Sequence, residues 1–282
     1  MQTIFNTTDL QEQLVKIRAN KLSVGLVPTM GNLHGGHIRL VEEAKKISEI
    51  VVSTIFVNPM QFGEGEDFAN YPRTLGKDKA KLEAANCDIL FVPTVEEIYG
   101  EGLSAGTVIS VPDLSLDLCG NKRPGHFDGV ATIVTKLLNI SRADQAFFGL
   151  KDYQQYLIVR KLVKDLSLPT QIIGVKTQRE TNGLAMSSRN NYLSVDEKQK
   201  AEVIFSTLKL IAEKIIAGER NYVVLEKIGF QTLQNSGAEV DYFAIRNDEF
   251  LQKPTLRNRN LVILAAAKIG PSRLIDNLLI TI

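Results

Sequence analysis

Apolar residues in the first two-thirds of the chain follow two alternating rhythms. Short continuous runs at residues 23–28 (SVGLVP), 50–57 (IVVSTIFV), 88–92, 145–148 and 170–175 read as strands covered on both faces. Between them apolar positions recur at helical spacing. Leu10, Leu14 and Ile17 form one stripe, in a helix that Thr8 and Gln11 are expected to open as a capping box. Leu40, Val41, Ala44 and Ile47 form another over 37–48, and further helices are predicted over 75–86, 127–140 and 152–166. Residues 58–73 read as a polar loop and 93–126 as irregular. Strands alternating with amphipathic helices predict a Rossmann-like α/β domain, a mostly parallel sheet with helices on both faces. Crossovers should be right-handed, and ligands should bind beyond the carboxyl ends of the strands.

After residue 177 the order changes. Two helices, 194–216 and 222–234, precede three strands at 239–245, 261–268 and 274–280. Strands gathered at the end predict a smaller C-terminal α+β domain with an antiparallel sheet. The expected division is 1–176 and 177–282, and the total of 282 residues suits two domains.

Composition narrows the function classes. Lys plus Arg is 33 against Asp plus Glu 32, so no global charge draws the chain to nucleic acid or to a membrane. The longest clean apolar run, 261–267, is far short of a membrane span. The N-terminus lacks a basic stretch followed by an apolar core, which makes the cytoplasm the expected compartment. Cys87 and Cys119 form no CxxC pair and read as small buried hydrophobes.

Candidate chemistry clusters at strand ends. PTMGNLHGGH (28–37) holds two of the three histidines, His34 and His37, in a glycine-rich turn between a strand and a helix. Gly31, Gly35 and Gly36 permit close backbone approach, and the helix N-terminus favours phosphate. The two imidazoles can donate to phosphate oxygens as pyrophosphate departs. A plain histidine cap and a zinc site are the competing readings, and no third zinc ligand is nearby. FGLKDYQQ (148–155) again runs from strand into helix, with Lys151 for phosphate, Asp152 for a cap or a ribose hydroxyl, and Gln155 one turn on. GLAMSSRN (183–190) offers Ser187, Ser188 and Arg189 as a phosphate clamp, or else an ordinary surface loop. NPMQFG (58–63), followed by YPRT (71–74), carries the amides Asn58 and Gln61 for a hydroxyl-bearing substrate, or else is a connector. RPGHF (123–127) places His126 at a helix start, as a cap, an interface residue or, less in keeping with its setting, a catalytic group.

A paired HxxH turn with a distant Ser-Ser-Arg loop resembles the adenylate-forming nucleotidyltransferases. PTMGNLHGGH, FVNPMQFG with EDF and YPRT, RPGHFDGVAT, FFGLKDYQQ and GLAMSSRNNYLS occur in the order found in one family, and the chain resembles the pantoate–β-alanine ligases. That resemblance implies ATP-dependent ligation of pantoate to β-alanine through a pantoyl adenylate, with Mg²⁺ carried on the ATP phosphates, and with AMP and pyrophosphate released. It implies an ATP site at Met30, Gly31, Asn32, Leu33, His34, Gly35, Gly36, His37, Gly149, Leu150, Lys151, Asp152, Gln178, Met186, Ser187, Ser188 and Arg189. His37 matches the assigned proton donor, and His34, Lys151, Ser187, Ser188 and Arg189 are the other groups expected to act in chemistry. Gln61 and Gln155 match pantoate contacts, Gln61 reaching β-alanine as well. Asn58 and Asp78 match, less securely, positions near substrate and metal. No dedicated protein metal site is implied, and the family suggests a homodimer with a C-terminal lid. Gly35, Leu150 and Gln178 depart from the family's usual residues, though only main-chain contact is expected at Gln178. Ile133, Val134 and Leu137 are expected to wall the gem-dimethyl group of pantoate. A related enzyme transferring a nucleotide to a phosphopantetheine-like substrate, a non-catalytic nucleotide-binding module and an RNA-binding synthetase fragment are the alternatives.

Overall fold

The computed structural model describes residues 1–66, 68–100, 102–103 and 106–282. Two compact units emerge, Met1–Leu150 with Ile158–Lys176, and Lys151–Leu157 with Thr177–Ile282.

In the first unit the strands are β1 (Gln2–Ile4), β2 (Val24–Thr29), β3 (Ile50–Ile55), β4 (Ile89–Phe91), β5 (Gln145–Gly149) and β6 (Gln171–Val175). They form, among the described residues, a parallel sheet in the order β1-β4-β3-β2-β5-β6. The first helices are α1 (Thr7–Ala19), α2 (Gly35–Ile47), α3 (Leu75–Ala84) and α4 (Val95–Tyr99). After them come α5 (Pro112–Ser115), α6 (Cys119–Lys122), α7 (His126–Ser141) and α8 (Tyr153–Asp165), whose residues 153–157 group with the second unit. Strand succession runs outward from β2 through β3 and β4, then jumps back to β5 on the other side. α2 and α3 pack into one core with the strands, while α1 packs against α7, the helix that follows the reversal. Leu40, Val41 and Ala44 of α2 and Leu82 of α3 share a core with Val27, Val51, Leu90 and Phe147 of the strands. The mostly apolar α7 touches β2.

The second unit holds α9 (Val195–Ile216), α10 (Tyr222–Asn235) and the antiparallel strands β7 (Glu239–Asn247), β8 (Asn260–Ile269) and β9 (Ser272–Thr281), in the order β7-β8-β9. The apolar run 261–267 is the central strand. Its Leu261, Ile263, Ala265 and Ala267 pack with Ile204, Leu208, Ile211 and Ile215 of α9 and Leu225 and Leu233 of α10. The α+β expectation and the antiparallel sheet hold.

Two local expectations need correction, and one short strand goes unpredicted. The cap of α1 is Asn6, whose side chain accepts the Asp9 N–H, rather than Thr8 with Gln11. Asn accepts as well as Thr at a cap, and it stands one residue before the helix. The edge strand β1 has only three residues, too few to show a period. The stretch 93–126 contains the short helices α4, α5 and α6, each of four or five residues and so below the length at which an apolar stripe can be read.

Candidate functional site

The reversal of strand order lies between β2 and β5, and the carboxyl ends of β2, β3 and β5 carry the sequence-predicted groups Met30–His37, Asn58 with Gln61, and Gly149 to Asp152 in turn. After β2 the backbone turns through two consecutive left-handed residues, Gly31 at φ 82° and Asn32 at φ 49°. Glycine and asparagine are the residues that take this conformation at low cost. The turn is anchored by a buried acid. Asp78, on the first turn of α3, is only 1% exposed. Its Oδ2 accepts the Asn32 N–H at 2.9 Å and the Thr74 hydroxyl at 3.0 Å, and its Oδ1 accepts the Leu33 N–H at 2.8 Å. The carboxylate expected near metal is thus committed to the turn's main chain.

The histidine cap and the histidine pair prove to be one feature. His34 is the N-cap of α2, and its Nδ1 accepts the Gly36 N–H at 3.1 Å. His37 closes the capping box from the third helical position, its Nδ1 accepting the His34 N–H at 3.3 Å. The ring centroids lie 4.1 Å apart. Each Nδ1 accepts a main-chain N–H, so each ring carries its proton on Nε2. Two Nε2 donors at a helix N-terminus, beside glycines that expose main-chain N–H groups, suit an anion.

Beyond β3, Asn58 and Gln61 belong to a one-turn 3₁₀ segment, Pro59–Gln61, capped by Asn58. Asn58 is 1% exposed and uses all its hydrogen-bonding capacity on protein. Its Oδ1 accepts from Tyr99 Oη at 2.7 Å and Met60 N at 3.3 Å, and its Nδ2 donates to Gly129 O at 3.0 Å and Gln61 Oε1 at 3.1 Å. Gln61 Nε2 donates to Met30 Sδ at 2.9 Å. The RPGHF segment grips the same turn. His126 Nδ1 donates to Gln61 O at 2.7 Å, and Arg123 reaches Gln61 O at 3.3 Å and His126 Nε2 at 2.9 Å. Arg123 also pairs with both Glu66 oxygens, at 2.7 and 2.6 Å. Burial raises the Glu66 pKa, but Arg123 outweighs it and holds the carboxyl below its ordinary range. Asp67 of the EDF segment lies outside the described residues. Ile133, Val134 and Leu137 are buried on α7.

A chiefly apolar cavity of about 280 Å³ is lined by Met30, Gly31, Ile55, Phe68, Asp78 and Val92 among others. Cys87 and Cys119 are buried, and desolvation pushes the Cys87 thiol up to about 11. It stays a thiol at neutral pH. Burial also raises the Tyr99 phenol, which keeps its proton and its donor role.

In the second unit Lys151 Nζ lies 3.5 Å from Asp152 Oδ1, and its main-chain oxygen accepts Asn277 Nδ2 at 2.8 Å. Gln155 is half-buried on α8. Ser187 caps the short helix Ser188–Tyr192 by accepting the Arg189 N–H. That loop hangs on a frame that sequence reading missed. Arg179 binds both oxygens of the buried Asp276, at 2.6 and 2.9 Å, donates to Gly183 O and lies 3.6 Å over the Phe205 ring. The Gln178 carbonyl accepts the Met186 N–H at 2.9 Å, and Asn190 Nδ2 ties Ala185 O to Glu180. Among the described residues no three His, Cys, Asp or Glu side chains group to hold a metal ion, and no helix is long and apolar enough to cross a membrane.

A parallel sheet that reverses beside a glycine-rich turn and a helix N-terminus defines the class, that of doubly wound α/β proteins taking phosphate-bearing ligands at the switch point. Comparison with known proteins gives the particular family. The sequence model of the pantoate-beta-alanine ligases matches residues 2–279, and the chain belongs to that family. A pantothenate synthetase of Pseudomonas fluorescens is 50% identical over 278 residues, covering 99% of this chain and 97% of its own. One from Shewanella amazonensis is 50% identical over 278 residues, covering 99% of each. The crystal structure of pantothenate synthetase from Thermus thermophilus superposes with a TM-score of 0.92 at 41% identity, covering 99% of both chains. That of pantoate-beta-alanine ligase from Francisella tularensis, complexed with beta-gamma ATP and beta-alanine, gives 0.83 at 33% identity, over 99% and 97%.

Proposed function

We propose that this protein condenses pantoate with β-alanine at the expense of ATP, through a pantoyl adenylate. The observation that carries the reading is full-length membership of the ligase family at about half identity, with the histidine capping box at the switch point supplying the chemistry. A carboxylate is a poor acylating agent because its leaving group would be oxide, and adenylation replaces that with AMP. Pantoate's carboxylate attacks the α-phosphorus of ATP, the bond to the bridging oxygen breaks, and pyrophosphate leaves. The β-alanine amine then attacks the acyl carbon and expels AMP, losing a proton as the amide forms.

No enzyme nucleophile is needed, so the work is positioning and charge stabilisation. Nε2–H groups of His34 and His37 donate to the phosphates, and the N–H groups of Met30 to His37 cradle the nucleotide with Gly149 to Asp152. Lys151, Ser187, Ser188 and Arg189 meet charge that gathers on the leaving pyrophosphate. Met186 and Gln178 hold the nucleotide through main-chain atoms. Gln61 and Gln155 bind pantoate, while Ile133, Val134 and Leu137 wall its methyl groups. Mg²⁺ arrives with the ATP phosphates as part of the substrate. The chain works in the cytoplasm as a homodimer, with residues 177–282 as the lid domain; the family resemblance supports these points.

The test is pyrophosphate release from MgATP, with pantoate and β-alanine supplied separately and together. Pantoate-dependent pyrophosphate, with AMP and pantothenate formed only when all three substrates are present, is the expected result. His37→Ala should lower turnover by about 10²-fold or more if its donor acts in the transition state. Release of pyrophosphate without pantoate dependence would overturn the reading.

A further inference from the structure

We infer that Tyr99, which no expected substrate contact includes, is a positioning residue. It acts through Asn58 to hold Gln61 with its amide nitrogen, not its oxygen, presented to the substrate. This rests on the reading of Gln61 as a pantoate contact.

An amide side chain can bond equally well either way round unless its neighbours discriminate. Here they do. Gly129 O is an acceptor only, so the Asn58 atom 3.0 Å away must be the nitrogen. Met60 N is a donor only, so the opposite atom must be oxygen. Tyr99 Oη donates to that same oxygen at 2.7 Å, its ring packed near Phe56 and beneath Lys136 Nζ. With Asn58 pinned, its second N–H points at Gln61 and demands an acceptor there, which fixes Gln61 Oε1 inward. Nε2 is left with Met30 Sδ as its one acceptor among the described residues. The other N–H of a nearly buried amide is therefore available to a ligand oxygen, as pantoate's carboxylate or hydroxyl supplies. The main chain of Gln61 is held independently, by His126 Nδ1 and Arg123 on its carbonyl. Arg123 donates to His126 Nε2, so His126 is the neutral Nδ1–H tautomer in this clasp. Asn58 has no bonding capacity left and contributes to binding only through Gln61.

The experiment measures steady-state KM for pantoate and for ATP, kcat and Tm in wild type, Tyr99→Phe and Gln61→Glu. Tyr99→Phe should raise KM for pantoate by about three- to tenfold, the effect of one weakened hydrogen bond, with KM for ATP unchanged and Tm lowered by only about 2–4 °C. Gln61→Glu should lose most pantoate-dependent activity at pH 8 and regain part of it as pH falls, because a protonated carboxyl again offers a donor. Gln61→Glu active at pH 8 and weakening in acid would mean that an acceptor is needed there, and would overturn the inference. So would Tyr99→Phe with both KM values at wild type, or with both raised alike. If Tyr99→Phe fails to fold, the pH profile of Gln61→Glu decides alone. A wild type with no pantoate-dependent turnover overturns the functional reading itself, a result distinct from either variant outcome.

Discussion

Asp78 shows how much one side chain can decide. Its two oxygens satisfy two main-chain donors in a turn with two left-handed residues, and a buried donor left without a partner is costly. Asp78→Asn keeps the size but presents an NH₂ group where an acceptor is required. It should raise KM for ATP well above its effect on KM for pantoate and destabilise the fold by about 1–3 kcal/mol, read from steady-state kinetics and thermal melting. Gly129 is a second such position. A Cβ there would meet the main chain of Met60 and lie 2.6 Å from Gln61 N, with no flexible atom to give way. Gly129→Ala should therefore displace the Gln61 turn and lower Tm, with overpacking costing about 1–3 kcal/mol. Neither role is visible in the sequence. Asp78 is one acid in a Lys-rich helix, and its two main-chain partners precede it by more than forty residues.

At the scale of elements, periodicity predicted most of the fold because α1, α2 and α9 each bury one clear stripe, while α7 is buried on nearly every side and reads as an apolar run. Element ends followed where a local cap marks them. Ser194 and Glu197 form a full capping box on α9, and Ser194→Ala should cost about 1 kcal/mol in a urea melt. The segments that escaped detection, β1 and α4 to α6, are too short to carry a period and take their conformation from their neighbours. The NPMQFG turn and the start of α7 are joined by the Glu66–Arg123 pair. Glu66 has a lowered pKa in the folded state, so its stabilising contribution is complete above the ordinary carboxylate value of about 4.3 and is lost as pH falls through the lowered one. Melts in acid should show wild type losing stability more steeply than Glu66→Gln, and equal slopes would remove the pair from the account.

For the whole molecule, the parallel sheet and the separate antiparallel sheet are both legible in the sequence. Continuous apolar strands have to be covered on both faces, and strands without intervening helices have to pair antiparallel. The candidate site stands out for a different reason. Histidine is scarce in this chain, with three in all, so His34 and His37 in one glycine-rich turn are conspicuous, and Ser187, Ser188 and Arg189 form the phosphate clamp proposed above. What tertiary structure alone decided is the support behind those groups: Asp78 under the turn, Tyr99 and Asn58 behind Gln61, the Arg123–Glu66–His126 clasp, and Arg179 with Asp276 behind the Ser-Ser-Arg loop. These are ordinary polar residues. Asn58 with Gln61 and Arg123 with His126 are three apart, but the other partners lie tens of residues away, and a hydrogen bond's direction is set by which donor the fold brings opposite which acceptor. The sequence alone determined the rhythm of the elements and the candidate groups at their ends; folding decided how each of those groups is held and which of its atoms its neighbours already occupy.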